Sequence, residues 1–336
     1  MGAMSFLTLR DRYGVTQLSD LDGKLTELLQ DISYEDCIQI TGTVIARPAG
    51  QENKNMLTGD IEVAIETMKI LGKSKEIPFQ IVDEPNTSEE LRFKHRYLDL
   101  RRRKVLENIK FRAQMNQFTR NRFSDHEFLE VQTPLFTVSS PEGARDFLIP
   151  SRVNAGKFYA LPQAPQQYKQ LLMIGGVDKY FQIAPCFRDE DPRADRHSCE
   201  FYQIDVEMSF VHQEDVHAVA QDYIGDLIPG VSDKKIIDPV ERLYCIKPFV
   251  VETSTKSFPK IPYDVAMDLF GSDKPDLRFD CHLVDVTELF RNSEASFIAE
   301  PLSQGGILKA MRLAGHLPTR KEVDAITEVA KQAGAA

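Results

Sequence analysis

The chain has 336 residues, 42% of them hydrophobic, with 18 Gly and 18 Pro, which excludes a collagen, a disulfide mini-protein and a disordered tail. Its 41 basic and 51 acidic side chains leave a net charge of −10, so no global field draws it to nucleic acid or anionic lipid, and RNA contacts have to come from local patches. The length implies roughly two or three domains. No apolar run approaches the ~18–20 residues that span a bilayer. Met1-Gly2-Ala3-Met4 reads as a cloning scar and not as a signal peptide. Cys37, Cys186, Cys199, Cys245 and Cys281 include no C-x-x-C pair, which argues against a disulfide framework or a zinc site and for a reducing cytoplasm.

Residues 5–80 read as a small β domain, with strands over Ser5–Leu9, Val15–Leu18, Cys37–Ala46 and Ile61–Ile70 and a short helix near Leu25–Leu29. Four strands and a helix fit an incomplete five-stranded oligonucleotide-binding (OB) barrel, although other small barrels share the pattern. Pro85-Asn86-Thr87-Ser88-Glu89 carries turn residues without apolar periodicity and marks a linker. After it cluster Arg92, Lys94, Arg96, Arg101, Arg102, Arg103 and Lys104, which read either as a solvated helix face or as a phosphate-contacting hinge. Over Val105–Phe123 the residues Leu106, Ile109 and Ala113, with Phe111, Met115 and Phe118, fall at helical spacings of three and four and predict a long packed helix. Phe128–Phe136 then alternates as a strand that Pro134 ends or kinks. Lys157–Leu161 is a further strand, and Pro165 opens a helix to about Ile174 that carries Gln166 and Lys169 on one face.

The most informative stretch is Tyr180–Phe210, two β-rich runs about a charged loop, which predicts a long antiparallel hairpin. On its returning strand Tyr202, Ile204, Val206 and Met208 form a core face, while Phe201, Gln203, Asp205 and Glu207 form the other. Carboxylates on a central strand need partners or a ligand, and the alternative is a solvated sheet face. Arg188, Arg193 and Arg196 concentrate guanidinium groups where a polyanion can be clamped. The chain has no P-loop, no G-x-G-x-x-G fingerprint, no H-E-x-x-H and no G-x-S-x-G, so phosphate cradles, zinc hydrolysis and acyl-enzyme chemistry lack support, and His212 and His217 read as surface residues.

Cys186-Phe187-Arg188-Asp189-Glu190-Asp191 with Arg193-Ala194-Asp195-Arg196 and Glu200-Phe201-Tyr202-Gln203-Ile204-Asp205-Val206-Glu207 closely resembles motif 2 of the class II aminoacyl-tRNA synthetases, in the aspartyl form. Phe128–Phe136 resembles motif 1, the dimer-forming element. Ser140-Pro141-Glu142-Gly143-Ala144-Arg145-Asp146 resembles the mobile loop over the amino-acid pocket, and Leu161–Gln170 the aspartate-binding helix. Arg96–Arg101 resembles the hinge, and Gly271–Arg278 the entry to the insertion domain of the bacterial type.

The resemblance implies an α+β protein: an OB-type anticodon domain over 4–84, a hinge over 85–104, an antiparallel-sheet catalytic domain over 105–280 and part of an insertion domain over 281–336. It implies that Arg188, Glu190, Phe201 and Gln203 bind ATP, with Arg188 on the α-phosphate, Glu190 near adenine and phosphates, and Phe201 stacked on the base. Glu142, Gln166, Lys169 and Asp205 would hold aspartate, and Gln17, Arg47 and Glu62 would read the anticodon. The implied substrates are ATP, aspartate and tRNA, with magnesium expected of the family although its carboxylate ligands are not among these residues. A homodimer through motif 1 is implied as well. The family's motif 3 is not found in this sequence, so a truncated or partly observed chain with impaired activity is expected. Glu127 stands where the family carries glycine, and the motif 2 loop is one residue longer around His197-Ser198-Cys199. The rival readings are a non-catalytic RNA-binding fragment and a relative specific for asparagine or lysine, which Lys169 opposite a substrate carboxylate argues against.

Overall fold

The computed structural model describes residues 5–140, 142–192, 198–236, 258, 260–278, 281–312, 315 and 317–333. The chain divides into two compact units, Met1–Gln114 and Met115–Ala336.

In the first unit Ser5–Arg10 (β1) pairs antiparallel with Val15–Asp20 (β2), Thr26–Gln30 (α1) follows, and Cys37–Ala46 (β3) pairs antiparallel with Ile61–Gly72 (β4). Leu18 of β2 lies parallel to Val63 of β4, which gives the order β1-β2-β4-β3. These are the four strands and the helix that the alternation predicts; three strands run one or two residues past their apolar runs. The β3–β4 register shifts at Gly42, where a Cβ would sit 2.2 Å from the Ala64 carbonyl oxygen. Only glycine fits that approach.

Glu89–Lys94 (α2) begins at Ser88, whose hydroxyl accepts from the Leu91 N–H, and Arg96–Asp99 (α3) follows. The basic segment is divided: Arg102 is buried, whereas Lys94, Arg96, Arg101, Arg103 and Lys104 are exposed. The Asp99 side chain is fully buried and gathers Arg96, Arg102 at 2.8 Å and Arg92 at 3.8 Å. Arg102 also donates to the carbonyls of Val82 and Asp83. A buried carboxylate requires such compensation. Burial opposes its ionisation, but the Arg102 hydrogen bond and the three guanidinium charges prevail and hold its carboxyl below the ordinary range.

Arg103–Asp125 (α4) carries the chain into the second unit. It is the expected long helix, but it packs over its C-terminal half only: Thr119 and Phe123 are buried, while Ile109 and Phe111 are exposed. The reason is the position of the aromatic core, which meets the last turns. There Phe123 stacks on Phe181 (5.0 Å) and Tyr223 (5.1 Å), with Phe128 edge-on at 5.2 Å. Each fully buried Phe side chain contributes about 1.5–3 kcal/mol. The helix closes with the Phe128 N–H returned to the Phe123 carbonyl at 3.0 Å and with Glu127 at φ +66, a left-handed conformation that glycine adopts without strain.

Then follow Leu129–Glu130 (β5), Leu148–Pro150 (β6), Phe158–Ala160 (β7), Gln166–Ile174 (α5), Lys179–Phe187 (β8), Glu200–Met208 (β9) and Gln213–Val231 (α6). The strand expected over Phe128–Phe136 is cut to β5 because ladder bonding to β8 stops after the Val131 N–H, and Pro134 has no N–H to resume it. β5 runs parallel to β8, and β8 antiparallel to β9, in a three-stranded sheet. On the face of β9 expected to be core, Val206 and Met208 pack on the aromatic cluster, but Tyr202 and Ile204 are 50% and 36% exposed. The layer of α4 and α6 engages the Met208 end of the strand, so the Tyr202 end stays open.

Further elements among the described residues are Tyr263–Phe270 (α7), Leu283–Asp285 (β10), a 3-10 turn over Thr287–Phe290, Ser296–Ser303 (α8), Lys309–Met311 (β11) and Arg320–Gln332 (α9). The capping box read from Thr319 and Glu322 opens α9. Arg193, Arg196 and Cys245 lie outside the described residues. No helix among the described residues is long and apolar enough to cross a membrane.

Candidate active site

β8 and β9 pair with Gln182 opposite Asp205, Ala184 opposite Gln203 and Cys186 opposite Phe201. The period of two therefore brings Phe201, Gln203, Asp205 and Glu207 to one face, and α5 packs on it. From α5, Lys169 Nζ reaches Asp205 Oδ1 at 2.7 Å and Glu207 Oε2 at 3.4 Å. Lys169 and Asp205 are 9% and 8% exposed, so both charges have left water and each needs its partner. Asp205 Oδ2 is buried without a hydrogen bond of good geometry, and the Tyr180 hydroxyl is turned to Gln182 Oε1 at 2.8 Å. Burial, and then the Asp205 charge, drive the Tyr180 pKa far upward, so the phenol remains neutral.

The Arg188 N–H donates to the Cys199 carbonyl at 2.9 Å and closes the strand end of the loop, while its guanidinium lies 5.0 Å from the centroid of the Phe201 ring. The exposed Glu190 is tied by its N–H to the Arg188 carbonyl at 2.9 Å. Cys186, buried beneath, donates its S–H to Gln203 Oε1 at 3.3 Å. Burial pushes that thiol up to about 11, helped by Asp205 and Glu142 and opposed by Arg188 and Lys169. The charges of four residues singled out in the sequence thus act on this one thiol. Gln166 is the first residue of α5, and Glu142 sits exposed on its loop, accepting from Ser140 Oγ at 3.2 Å. Glu207, the second partner of Lys169, stands on the face that the two-residue period picks out but is not among the implied aspartate ligands; Gln182 and Tyr180, below, carry no such signal in the sequence.

In the first unit Gln17 Nε2 donates to Glu62 Oε2 at 2.7 Å, and Ser19 Oγ donates to Oε1 at 3.2 Å. Arg47 follows β3 and donates from Nε to the Ile61 carbonyl at 3.0 Å. Glu62 and Arg47 are both buried, so the three sequence-predicted residues meet at one end of the β3–β4 pair, held by the sheet. Among the described residues no three His, Cys, Asp or Glu side chains are grouped to hold a metal ion; magnesium is ordinarily held by one or two carboxylates together with substrate phosphates and water.

Comparison with known proteins matches residues 88–327 to tRNA synthetases class II (D, K and N), and residues 1–71 to an OB-fold nucleic acid binding domain. The chain is 46% identical over 339 aligned residues to an Aspartate--tRNA(Asp/Asn) ligase of Beijerinckia indica, covering 100% of this chain and 54% of that protein. It is 44% identical to the protein of that name from Rickettsia canadensis, covering 99% and 53%. The chain therefore spans about half the length of these relatives. Among solved structures, a Leishmania major chain named for aspartyl-tRNA synthetase superposes with TM-score 0.68 at 20% identity, covering 83% of this chain and 63% of that one. Asparaginyl-tRNA synthetase from Pyrococcus horikoshii, complexed with asparaginyl-adenylate, gives 0.60 at 23% identity, covering 80% and 60%. At these identities the likeness is one of fold. The sequence match over 88–327 takes in more than half of the chain, and by it this protein belongs to the class II tRNA synthetases of the D, K and N group.

Proposed function

We propose that the second unit carries an aspartate-activating site: the α-carboxylate of aspartate attacks the α-phosphorus of ATP, pyrophosphate leaves, and the adenylate passes its aspartyl group to a ribose hydroxyl of tRNA, releasing AMP. The observation that carries this is the buried Lys169–Asp205 pair with its unbonded Asp205 Oδ2. An incoming side-chain carboxylate shares Lys169, while the substrate ammonium donates to Asp205 Oδ2 and Glu142. Gln166 adds an amide. Arg188 meets the α-phosphate, Phe201 stacks on adenine, and Glu190 and Gln203 flank the nucleotide. No protein nucleophile is needed, since catalysis is positioning and charge stabilisation. A purely RNA-binding role leaves this buried ionic set without a use.

The same reading divides the chain into 4–84, 85–104, 105–280 and 281–336, as the sequence implies, and makes Gln17, Arg47 and Glu62 anticodon readers. The breadth of tRNA recognition is proposed to follow the relatives' names, Asp and Asn. A second copy of the chain is proposed to cover the exposed apolar residues Phe136, Val138, Phe158 and Leu171 beside the motif 1 region. The test of the aspartate reading is calorimetry with non-hydrolysable aspartyl- and asparaginyl-adenylate analogues. The expected result is an aspartyl preference of about 10–100-fold, the worth of one charge-assisted pair; equal affinity would overturn the assignment of Lys169.

A further inference from the structure

Gln163 sits in the turn between β7 and α5, three residues before Gln166 and six before Lys169, and is 4% exposed. Its backbone neighbourhood is fastened to ordered structure: the Phe187 N–H donates to the Pro162 carbonyl at 2.9 Å, and the Leu161 N–H to the Phe147 carbonyl at 3.0 Å. Its side chain is turned to the loop that carries Glu142. Oε1 accepts from the Ala144 N–H at 3.2 Å, and Nε2 faces the carbonyls of Ala144 at 2.9 Å and Ser140 at 3.3 Å and the carboxylate of Asp146. One donor on one side and three acceptors on the other fix the orientation of the amide.

Asp146 completes the arrangement by accepting from Ser139 Oγ at 2.6 Å and the Ser140 N–H at 3.2 Å. Burial works against its ionisation, but the hydrogen bonds from Ser139, Gln163 and Ser140 prevail and keep its carboxyl low. On its other side the loop is tied to the arginine hairpin. The Asp189 N–H donates to the Arg145 carbonyl at 3.0 Å, and Arg145 Nε donates to the Asp189 carbonyl at 3.3 Å. Asp189 follows Arg188 directly. The loop with Glu142 is therefore held between a buried amide beside the amino-acid helix and the first residues of the phosphate-contacting loop.

We infer that Gln163 is a positioning residue: it latches the Glu142 loop, and through the Arg145–Asp189 link it sets the ammonium and phosphate subsites together. This rests on the aspartate-activating reading above. Gln163→Glu replaces the donor by a carboxylate aimed at Asp146 and at two carbonyls, and so favours the unlatched loop. When only a fraction of molecules holds the competent loop, apparent affinity falls by that fraction, and stranding these buried groups corresponds to roughly a 10–100-fold change.

The experiment measures two quantities on the full chain, binding of a non-hydrolysable aspartyl-adenylate analogue and the rate of tryptic cleavage after the exposed Arg145. For Gln163→Glu the expected results are a 10–100-fold weaker affinity and at least about 10-fold faster cleavage at Arg145, with other cleavage sites unchanged. Lowering the pH from about 8 to about 5.5 returns both toward wild type, because a proton shared between residue 163 and Asp146 restores a donor. Should the carboxylate variant not fold, Gln163→Leu, which keeps much of the volume without either polar atom, takes the same two measurements without the pH recovery. Wild-type cleavage at Arg145 in a folded variant overturns the latch, whatever the analogue does. Faster cleavage supports the latch even if wild type binds no analogue, and that last outcome would overturn the aspartate reading instead.

Discussion

Replacing Asp99 by asparagine tests the ion cluster of the basic segment. The side chain is fully buried, beside Arg102, which is 7% exposed, with Arg92 and Arg96 at 24% and 48%. Asparagine keeps the volume and removes the charge. Arg102 retains its bonds to the Val82 and Asp83 carbonyls but loses a charge-assisted bond worth about 1.5–3 kcal/mol. A stranded buried guanidinium moves the loss toward about 3–5 kcal/mol, while the half-exposed Arg96 adds little because water screens it. The expected loss is therefore about 3 kcal/mol, which in a unit of this size lowers Tm by about 10–15 °C. The assay is amide exchange over residues 79–104 together with urea unfolding. The depressed carboxyl of Asp99 gives the pH dependence a sign: its stabilisation is present above about pH 4, the unfolded carboxyl value, and is lost as pH falls through the lower folded value. Wild type and Asp99→Asn should converge in acid. A neutral-pH loss under about 0.5 kcal/mol, or curves that stay parallel into acid, would refute the reasoning.

Glu127→Gly should stabilise by about 1 kcal/mol in urea, since φ +66 strains glutamate and the Lys179 pair it forfeits is at 3.4 Å with Glu127 86% exposed. Gly42→Ala should cost about 1–3 kcal/mol or more in a thermal melt, because its Cβ meets the Ala64 carbonyl oxygen. Gln17→Ala and Glu62→Gln should each weaken an anticodon stem-loop RNA about 10-fold by fluorescence anisotropy, with adenylate-analogue binding unchanged.

The hairpin over 179–208, the barrel strands and the α9 cap were legible because their signals are local: alternation, turn residues and a capping pair. The residue set Arg188, Phe201, Gln203 and Asp205 came with the hairpin, since a strand's period fixes which side chains share a face. Burial was less legible, because it depends on what another segment places on top. Arg96, Asp99 and Arg102 show the i,i+3 spacing of ion pairs, but that they are interior follows from the carbonyls of Val82 and Asp83, supplied by the preceding linker. Tyr202 and Ile204 alternate as core does, yet the covering layer ends at Val206. Gln163 lies in a proline-flanked turn, and nothing in its own neighbourhood announces that Ala144 and Asp146 fold onto it.

The aspartate-activating reading is tested most directly by binding of the aspartyl-adenylate analogue to wild type and to Lys169→Ala, with circular dichroism to establish that the variant is folded. The account predicts tight binding by wild type and a loss of at least about 100-fold in the variant, about 2.7 kcal/mol, with ATP affinity little changed. Binding that survives the loss of Lys169, or its absence in wild type, would contradict it.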